Sequence, residues 1–375
     1  MKIAFYNLTT TTKLGGIETF NWGMAKYLAR RGHIVHIYGG NGDVREDAGE
    51  GVSLSTYPFI SRDRAHYFGS QFGKFLERLS FALTSCKPLV KGRHEIIYIS
   101  KPYDLPIALL LSRMSGARVA FGSGGKEFFP GYKCLANKVD YFFSCSAFNA
   151  SQIEAYCGIR PIVLPNGVNT KLFTPHSPDL RLKSRLLIDD NEKIILSACR
   201  LVGWKGLRYA IEAVAELIRK GLGVKYLIAG IGEDRKNLEV LTKKLGIADN
   251  IIFLGSIRNS ELPEYYSIAD MAVYPSIGKE TFGISIAEAM ACGIPVISTR
   301  VGGIPEVVAE GTGLLVPPKD KISLAQAMET LLCDGELRKQ IGNAGRRRVL
   351  ENFSWDIAAK RLESYLSCNK EEPCD

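Results

Sequence analysis

Two carboxylates, Glu280 and Glu288, stand eight positions apart in KETFGISIAEAMACGIPVIST (279–299), around Phe282-Gly283 and a run of small residues. A segment that is merely buried has no use for acids beside Ala287, Ala289 and Ala291. If a helix opens at Gly283 and is ended by Gly293 and Pro295, Glu280 lies in the loop ahead of it. Glu288 then projects from the second turn, about 7–8 Å further along the axis. The amides of about Gly283, Ile284 and Ser285 point into the space ahead of the helix, where they can donate to hydroxyls or phosphate. Carboxylates accept from paired hydroxyls such as those of a ribose. The plainer alternative is a capping Glu followed by a surface Glu.

Other candidates lie just after strand-like runs. In SACRLVGWKGLRYA (197–210), Arg200 and Lys205 bracket a turn that leads into a helix over Gly206–Arg219. A forked guanidinium and a point-charge ammonium suit a diphosphate; taken alone, the two are equally well solvated surface charges. In NLTTTTKLGGIETF (7–20), Gly15 and Gly16 precede a helix beginning near Ile17, so backbone amides can approach an anion closely. A plain flexible turn is the simpler account of a lone Gly-Gly. Neither this stretch nor Gly230–Gly232 has the G-x-G-x-x-G of a dinucleotide fold. The nine cysteines contain no C-x-x-C, the five histidines are dispersed, and no D-x-D occurs. No metal site is expected from these patterns, and the scattered odd set of cysteines suits a reducing compartment.

The elements needed to hold these residues are legible. Short apolar runs at Lys2–Tyr6, Ile34–Tyr38, Glu95–Ser100, Arg118–Phe121 and Tyr141–Ser144 alternate with helical stretches such as Glu18–Arg31 and Ala147–Cys157. VLPNGVNTKLFTPHSP (163–178) breaks the alternation with three prolines and Asn-Gly. A second series follows at Lys193–Ala198, Val224–Ala229, Ile251–Leu254, Met271–Tyr274 and Val296–Ser298. Two βα series predict an α/β chain of two doubly wound parallel sheets, which bind ligands at the carboxyl ends of their strands. The length of 375 residues favours two domains. An apolar content of 46% with 23% charged residues excludes disorder and coiled coil. The longest apolar run, near Leu105–Leu111, is too short to span a bilayer. Met1–Tyr6 opens on a strand pattern without a charged-then-apolar leader, so a cytoplasmic location is expected.

Taken in order, several pieces resemble the retaining GT-B glycosyltransferases of the large group 1 family (family 4). These are Gly15-Gly16 with Glu18, PNGVNTKLF (165–173), RLVGWKG (200–206), LIAGIGEDRKNLE (227–239), FLGSI (253–257), ETFGISIAE (280–288), AMACGIPVISTRVGGIPEVV (289–308) and GTGLLVPPKD (311–320). The resemblance covers nearly the whole chain. It implies a GT-B fold of two Rossmann-like domains facing a central cleft. Residues 1–165 would form the acceptor-side domain and 166–353 the nucleotide-sugar domain. The closing helix in about 354–375, carrying FSWDIAAKRLESYL, would pack back on the first. It also implies transfer of a hexosyl group from a UDP- or GDP-linked sugar to a hydroxyl of a saccharide or lipid-linked saccharide. Retention is expected, without metal or cofactor, in cell-surface polysaccharide or lipopolysaccharide synthesis. Arg200 and Lys205 would neutralise the diphosphate, and the amides of Gly15 and Gly16 would assist from the opposite domain. Glu288 would accept from the ribose hydroxyls, and Glu280 with the Phe282–Ser285 backbone would hold the donor sugar. Gly230, Gly232 and the Gly255–Ile257 loop would border the nucleotide. One departure is that many relatives place a histidine in an HGxEF-like turn, whereas FGSGGKEFF (121–129) has Gly124 there. Ser123, Lys126 and Glu127 are the polar residues at hand, and all three are equally loop residues.

The net charge of +9 is uneven: residues 1–170 hold 20 Lys/Arg against 12 Asp/Glu, and the remainder 28 against 27. Arg62–Arg93 alone carries seven Lys/Arg and two Asp/Glu, with Phe68, Phe72, Phe75, Leu76 and Leu79 on one helical face. Such a helix either touches an anionic membrane surface at the inner face of the cell membrane or turns that face into the core. A sugar-nucleotide epimerase or phosphorylase shares the fold but matches the motif series poorly. Nucleic acid is not expected as a partner, since the basic stretches hold no recognition motif.

Overall fold

The structure is a computed structural model describing residues 1–13, 15–44, 49–62, 70–125, 127–278 and 280–367. Phe68 and Lys126 lie outside the described residues. The chain runs β1 (Lys2–Tyr6), α1 (Gly16–Arg30), β2 (Ile34–Gly40), β3 (Val52–Tyr57), α2 (Ser70–Lys91), β4 (Ile96–Ile99) and α3 (Leu105–Ser115). It continues with β5 (Arg118–Ser123), α4 (Tyr132–Ala136), β6 (Tyr141–Ser144), α5 (Ala147–Cys157) and β7 (Ile162–Val163). Then come α6 (Leu180–Arg185), β8 (Lys193–Ala198), α7 (Leu207–Arg219), β9 (Val224–Ala229), α8 (Arg235–Lys244), β10 (Ile251–Gly255) and α9 (Leu262–Ile268). The last are β11 (Met271–Tyr274), α10 (Ile284–Ala291), β12 (Val296–Thr299), α11 (Ile304–Val307), β13 (Leu314–Val316), α12 (Lys321–Cys333), α13 (Gly335–Asn352) and α14 (Trp355–Ser367).

The chain divides into two compact units, Met1–Gly167 with the segment from Trp355 onward, and Val168–Ser354. Unit 1 holds a seven-stranded parallel sheet in the order β3-β2-β1-β4-β5-β6-β7. Unit 2 holds a six-stranded parallel sheet in the order β10-β9-β8-β11-β12-β13. The inner strands β4, β6, β11 and β12 are buried on both faces, which is why they read as mostly apolar runs rather than alternating ones. Three strands lack that signal: β3 alternates apolar and polar residues on a sheet edge, and the apolar β7 and β13 are only two and three residues long.

Unit 1 takes its last helix from the far end of the chain. Trp355, Ala358, Ala359, Leu362 and Leu366 of α14 are buried in the core that contains Phe20, Trp22, Met24 and Leu28 of α1. A Cβ on Gly23 or Gly167 would collide with the Trp355 ring at 2.3 Å, so both glycines make room for it. Arg31 and His33 hold Glu363 at the surface end of this contact.

In α2 the buried side carries Glu77, Arg78, Phe81, Ala82, Ser85 and Leu89. Arg78 is therefore no surface cation. Its Nη1 donates to both carboxylate oxygens of Asp104, at 3.0 and 3.2 Å, and Asp104 is fully buried. Of the apolar residues expected on one face, Phe72, Phe75 and Leu79 are 47%, 58% and 39% exposed, and Leu76 is half-buried. The core alternative for that face does not hold for them.

Candidate functional site

The order of unit 2's sheet reverses between β8 and β11, paired through Ile195 and Met271. A crevice opens at such a reversal, outside the carboxyl ends of the two strands. The loop after β8 carries Arg200 and Lys205, and the loop after β11 carries Glu280. The structure joins them: Lys205 Nζ donates to Glu280 Oε2 at 2.5 Å, with only 15% and 13% of the two side chains exposed. Spacing in the sequence gave no sign of this contact, because the residues are 75 positions apart.

The two loops are fixed to each other and to β12. Ile277 donates its amide to Trp204 O at 2.9 Å, and Gly303 donates to Glu280 O at 3.1 Å. Ser298 and Thr299 Oγ atoms donate to Tyr274 O and Ser276 O at 2.7 and 2.5 Å. Gly206 ends a 3-10 turn over Gly203–Lys205 at φ 69°, with room for a Cβ denied by Pro275 O. Only glycine fits that left-handed position cheaply. The helix therefore starts one residue later than expected, at Leu207. Trp204 was not singled out by type or spacing. Its ring takes Lys205 Nζ at 4.7 Å and the Arg200 guanidinium at 5.9 Å, cation–π contacts that orient both cations. Arg200 is exposed.

Gly283 is the N-cap of α10, at φ 96°. Ile284 and Ser285 are the first two helical residues, whose amides have no intrahelical acceptor. Both residues are half-buried, whereas Phe282 is buried and packs edge-on against Phe353 at 5.4 Å. Tyr274 Oη donates to Ser285 O at 2.9 Å and meets Tyr266 Oη at 2.8 Å. These buried tyrosines, also missed from sequence, pin the first turn of α10. Burial raises both hydroxyls well above the ordinary tyrosine range, so they stay neutral. Glu288, in the second turn, is 7% exposed and within electrostatic reach of Tyr266, Tyr274 and Cys292. It is not the surface residue of the plainer alternative.

Gly230 has a packing reason of its own: at φ 141°, a Cβ there would meet Cys199 O at 1.9 Å. The loop after β9 thus lies directly against the loop after β8, and Gly230 donates its amide to Gly255 O at 2.7 Å. Ile257, beyond that strand end, is half-buried. Arg200, Lys205, Gly230, Ile257, Glu280, Phe282–Ser285 and Glu288 all belong to the carboxyl-end loops of unit 2 or to α10, the helix that follows β11. Cys199, within electrostatic reach of Lys205 and Arg200, is pushed up to about 11 by burial and is no thiolate. Among the described residues, no group of three His, Cys, Asp or Glu could hold a metal ion.

Gly15 and Gly16 belong to unit 1. Gly15 is the N-cap of α1, and a Cβ on it would meet Glu18 Oε2 at 2.7 Å. Glu18 is buried and accepts from Thr9 Oγ1 at 2.5 Å. Gly124 lies against Ile17 of the same first turn. Ser123 is buried and committed to the loop, its Oγ donating to Gly125 O and its carbonyl accepting from Asn149 Nδ2 at 3.0 Å. Glu127 is half-buried.

Comparisons with known proteins agree in both halves. The family described as glycosyl transferases group 1 matches residues 180–348, and glycosyltransferase family 4 matches residues 14–172. A GDP-mannose-dependent alpha-(1-6)-phosphatidylinositol monomannoside mannosyltransferase of Mycolicibacterium smegmatis is 32% identical over 75% of this chain and 78% of its own. Among solved structures, sucrose-phosphate synthase from Thermosynechococcus elongatus superposes with TM-score 0.81 at 22% identity, covering 97% of this chain and 98% of that one. HepE of Anabaena, in complex with UDP and glucose, gives 0.80 at 23% identity, covering 98% and 99%. The last two establish the two-domain GT-B fold. Another similar relative, D-inositol 3-phosphate glycosyltransferase of Corynebacterium diphtheriae, is 36% identical, but the match spans only 54% of this chain and 49% of that one. With the switch-point site built as described, both halves matched in order and most of a 32% identical relative covered, the chain belongs to the group 1 glycosyltransferases.

Proposed function

We propose that the chain moves a hexosyl group from a nucleoside diphosphate sugar to a hydroxyl of a saccharide or lipid-linked saccharide, with retention and without a metal. The Lys205–Glu280 contact carries this reading. It sets a cation and a carboxylate side by side at the switch point, beside an exposed guanidinium and two amides without an intrahelical acceptor. A diphosphate needs the cations and amides, and a sugar needs the carboxylate.

In this reading Arg200 and Lys205 take the charge that grows on the diphosphate as the anomeric C–O bond breaks, the main catalytic demand of the step. Glu280 and the Ile284 and Ser285 amides hold the donor sugar's hydroxyls, and Glu288 accepts from the ribose. The acceptor oxygen attacks on the face the leaving group departs from, and its proton passes to a donor phosphate oxygen. No covalent enzyme intermediate is needed.

The acceptor side rests on α2. Phe72, Phe75, Leu79 and Leu83 are exposed at helical spacing, and Lys87 and Lys91 are exposed towards the helix end. A basic helix with outward apolar residues suits an anionic membrane face bearing a lipid-linked acceptor. The mannosyltransferase relative is named for such an acceptor. This supports a place in cell-surface polysaccharide or lipopolysaccharide synthesis, at the inner face of the membrane. Among the described residues no helix is long and apolar enough to cross a bilayer.

Radiolabelled UDP- and GDP-sugars, incubated with and without lipid-linked saccharides, test the proposal. Label should move to an acceptor with the anomeric configuration kept. Interconversion of the sugar while it stays on the nucleotide would indicate an epimerase instead.

A further inference from the structure

One of the two cations that a diphosphate needs is held by a carboxylate. Lys205 Nζ donates to Glu280 Oε2, and little of either side chain is exposed. The backbone gives the pair small freedom to part. The carbonyl of Glu280 accepts from Gly303 N at 3.1 Å, and that of Trp204, next to Lys205, accepts from Ile277 N at 2.9 Å. Lys205 donates its own amide to Val202 O at 2.9 Å. A Cβ on Gly206 would meet Pro275 O at 2.0 Å, so the two loops touch at backbone distance. The Trp204 ring also holds the ammonium, at 4.7 Å. An anion that uses Lys205 must therefore share it with Glu280.

An ammonium has several N–H donors, so sharing is possible, but it brings two anions close together. Two oxygens on one nitrogen at hydrogen-bond distance lie about 5 Å apart. With most water excluded, like charges at that separation repel strongly. How much of this is felt depends on what the nucleotide carries. A sugar ester puts hydroxyls against Glu280, and the hydrogen bonds they donate offset its charge. A free nucleoside diphosphate brings none. It has also kept the electron pair of the broken anomeric C–O bond. Once the proton taken from the acceptor has gone on to water, it carries one more negative charge than the donor did. The carboxylate that suits the donor thus opposes the product at the same ammonium.

We propose that Glu280 sets the preference of this site for donor over product: it competes with the free nucleoside diphosphate for Lys205 and so promotes release after transfer. The inference rests on the glycosyltransferase reading and adds to the sugar-holding role of Glu280 a selection against the nucleotide left behind. Such discrimination comes from a charge set against the unwanted ligand as much as from contacts to the wanted one.

Calorimetry on the full chain tests it, with UDP and GDP as products and UDP-glucose and GDP-mannose as donors. Glu280→Gln keeps the size of the side chain and removes its charge. The variant should bind the better of UDP and GDP about tenfold more tightly than the parent does, as expected when a charge-assisted competitor is removed. The corresponding nucleoside, measured by competition, should bind both chains alike, because it has no phosphate to share Lys205. A pocket merely reshaped by the substitution would shift the nucleoside too. The donor of the same base should gain nothing or lose affinity, so donor and product move in opposite directions. Glu288→Gln, by contrast, should weaken both together. If the Gln chain melts early, Glu280→Asp reads the effect instead: the shorter side chain draws the carboxylate off Lys205, and the diphosphate should bind about threefold more tightly. The proposal is overturned if the diphosphate binds the variant no more tightly than the parent, or if nucleoside or donor gains as much. Failure of the donor reading shows separately, as absence of both UDP and GDP binding by the parent, and takes this proposal with it.

Discussion

At the scale of single residues, the chemistry separates into charges that respond to the reaction and contacts present throughout it. Arg200 is exposed and steadied by Trp204, and Lys205 is paired with Glu280 before any substrate arrives. Their worth to a leaving diphosphate grows as its charge develops. Arg200→Ala should therefore lower kcat by about 10²–10³-fold, the usual loss for a developing-charge donor. Lys205→Ala should do the same and also raise KM for the donor, since Glu280 is then a half-buried carboxylate without its cation. Steady-state kinetics over donor concentration separates the two, and near-normal kcat in both would remove them from catalysis. Glu288→Gln should weaken donor sugar and free nucleotide alike by about tenfold, because ribose contacts outlast the sugar. Calorimetry giving unchanged affinity for both would reject that role. The residue types were readable from sequence, but the Lys205–Glu280 contact and the Tyr274 support of Ser285 were not. Both depend on which strand lies beside which.

At the scale of elements, the run of small residues around the two acids has a packing cause. Ala287, Ala289 and Ala291 of α10 are fully buried, and α10 packs against α13. A Cβ on Gly342 of α13 would strike the carbonyl of Gly293, in the turn just past α10, at 2.1 Å, so that turn meets α13 at backbone distance. The small side chains serve the helix that holds the site, not the ligand. Helix α2 shows the opposite relation between pattern and burial. Its apolar stripe is legible as a helical period, yet it faces outward, while Glu77 and Arg78 face inward because Asp104 waits there. A period reports that a face exists and not what lies against it. If the outward face meets a membrane, Lys87→Glu/Lys91→Glu should reduce co-sedimentation with anionic vesicles at low salt. Each lysine near such a surface contributes about 1 kcal/mol. Sedimentation equal to the parent's would assign that charge elsewhere. Arg78 does not belong in such a test, because reversing it would leave Asp104 facing a buried like charge.

At the scale of the molecule, each unit carries its own parallel sheet, its own core and its own switch point. Unit 1 depends on α14, supplied from beyond the whole of unit 2, so Leu362→Ala should lower unit 1's stability by about 2–5 kcal/mol. Scanning calorimetry should show the unit 1 transition shifted and the unit 2 transition in place, with UDP or GDP raising only the latter. Glu363, whose carboxyl Arg31 holds below its usual value, adds a small pH term. Its depressed value stabilises the α14 contact above the ordinary carboxylate range, and that part is lost as pH falls through it. As a partly exposed pair it is worth at most about 1 kcal/mol, and Glu363→Gln should flatten the acid limb. The sequence by itself determined the α/β class, the two series and the residues at strand ends, because fully buried parallel strands leave mostly apolar runs and turns leave glycines beside charges. Edge strands β3, β7 and β13 escaped it, β3 because its half-exposed residues alternate apolar and polar, and β7 and β13 because they are short. Only tertiary structure decided which loops share a switch point and which cations are already paired with a carboxylate. Those are properties of strand order and long-range approach, and local spacing does not encode them.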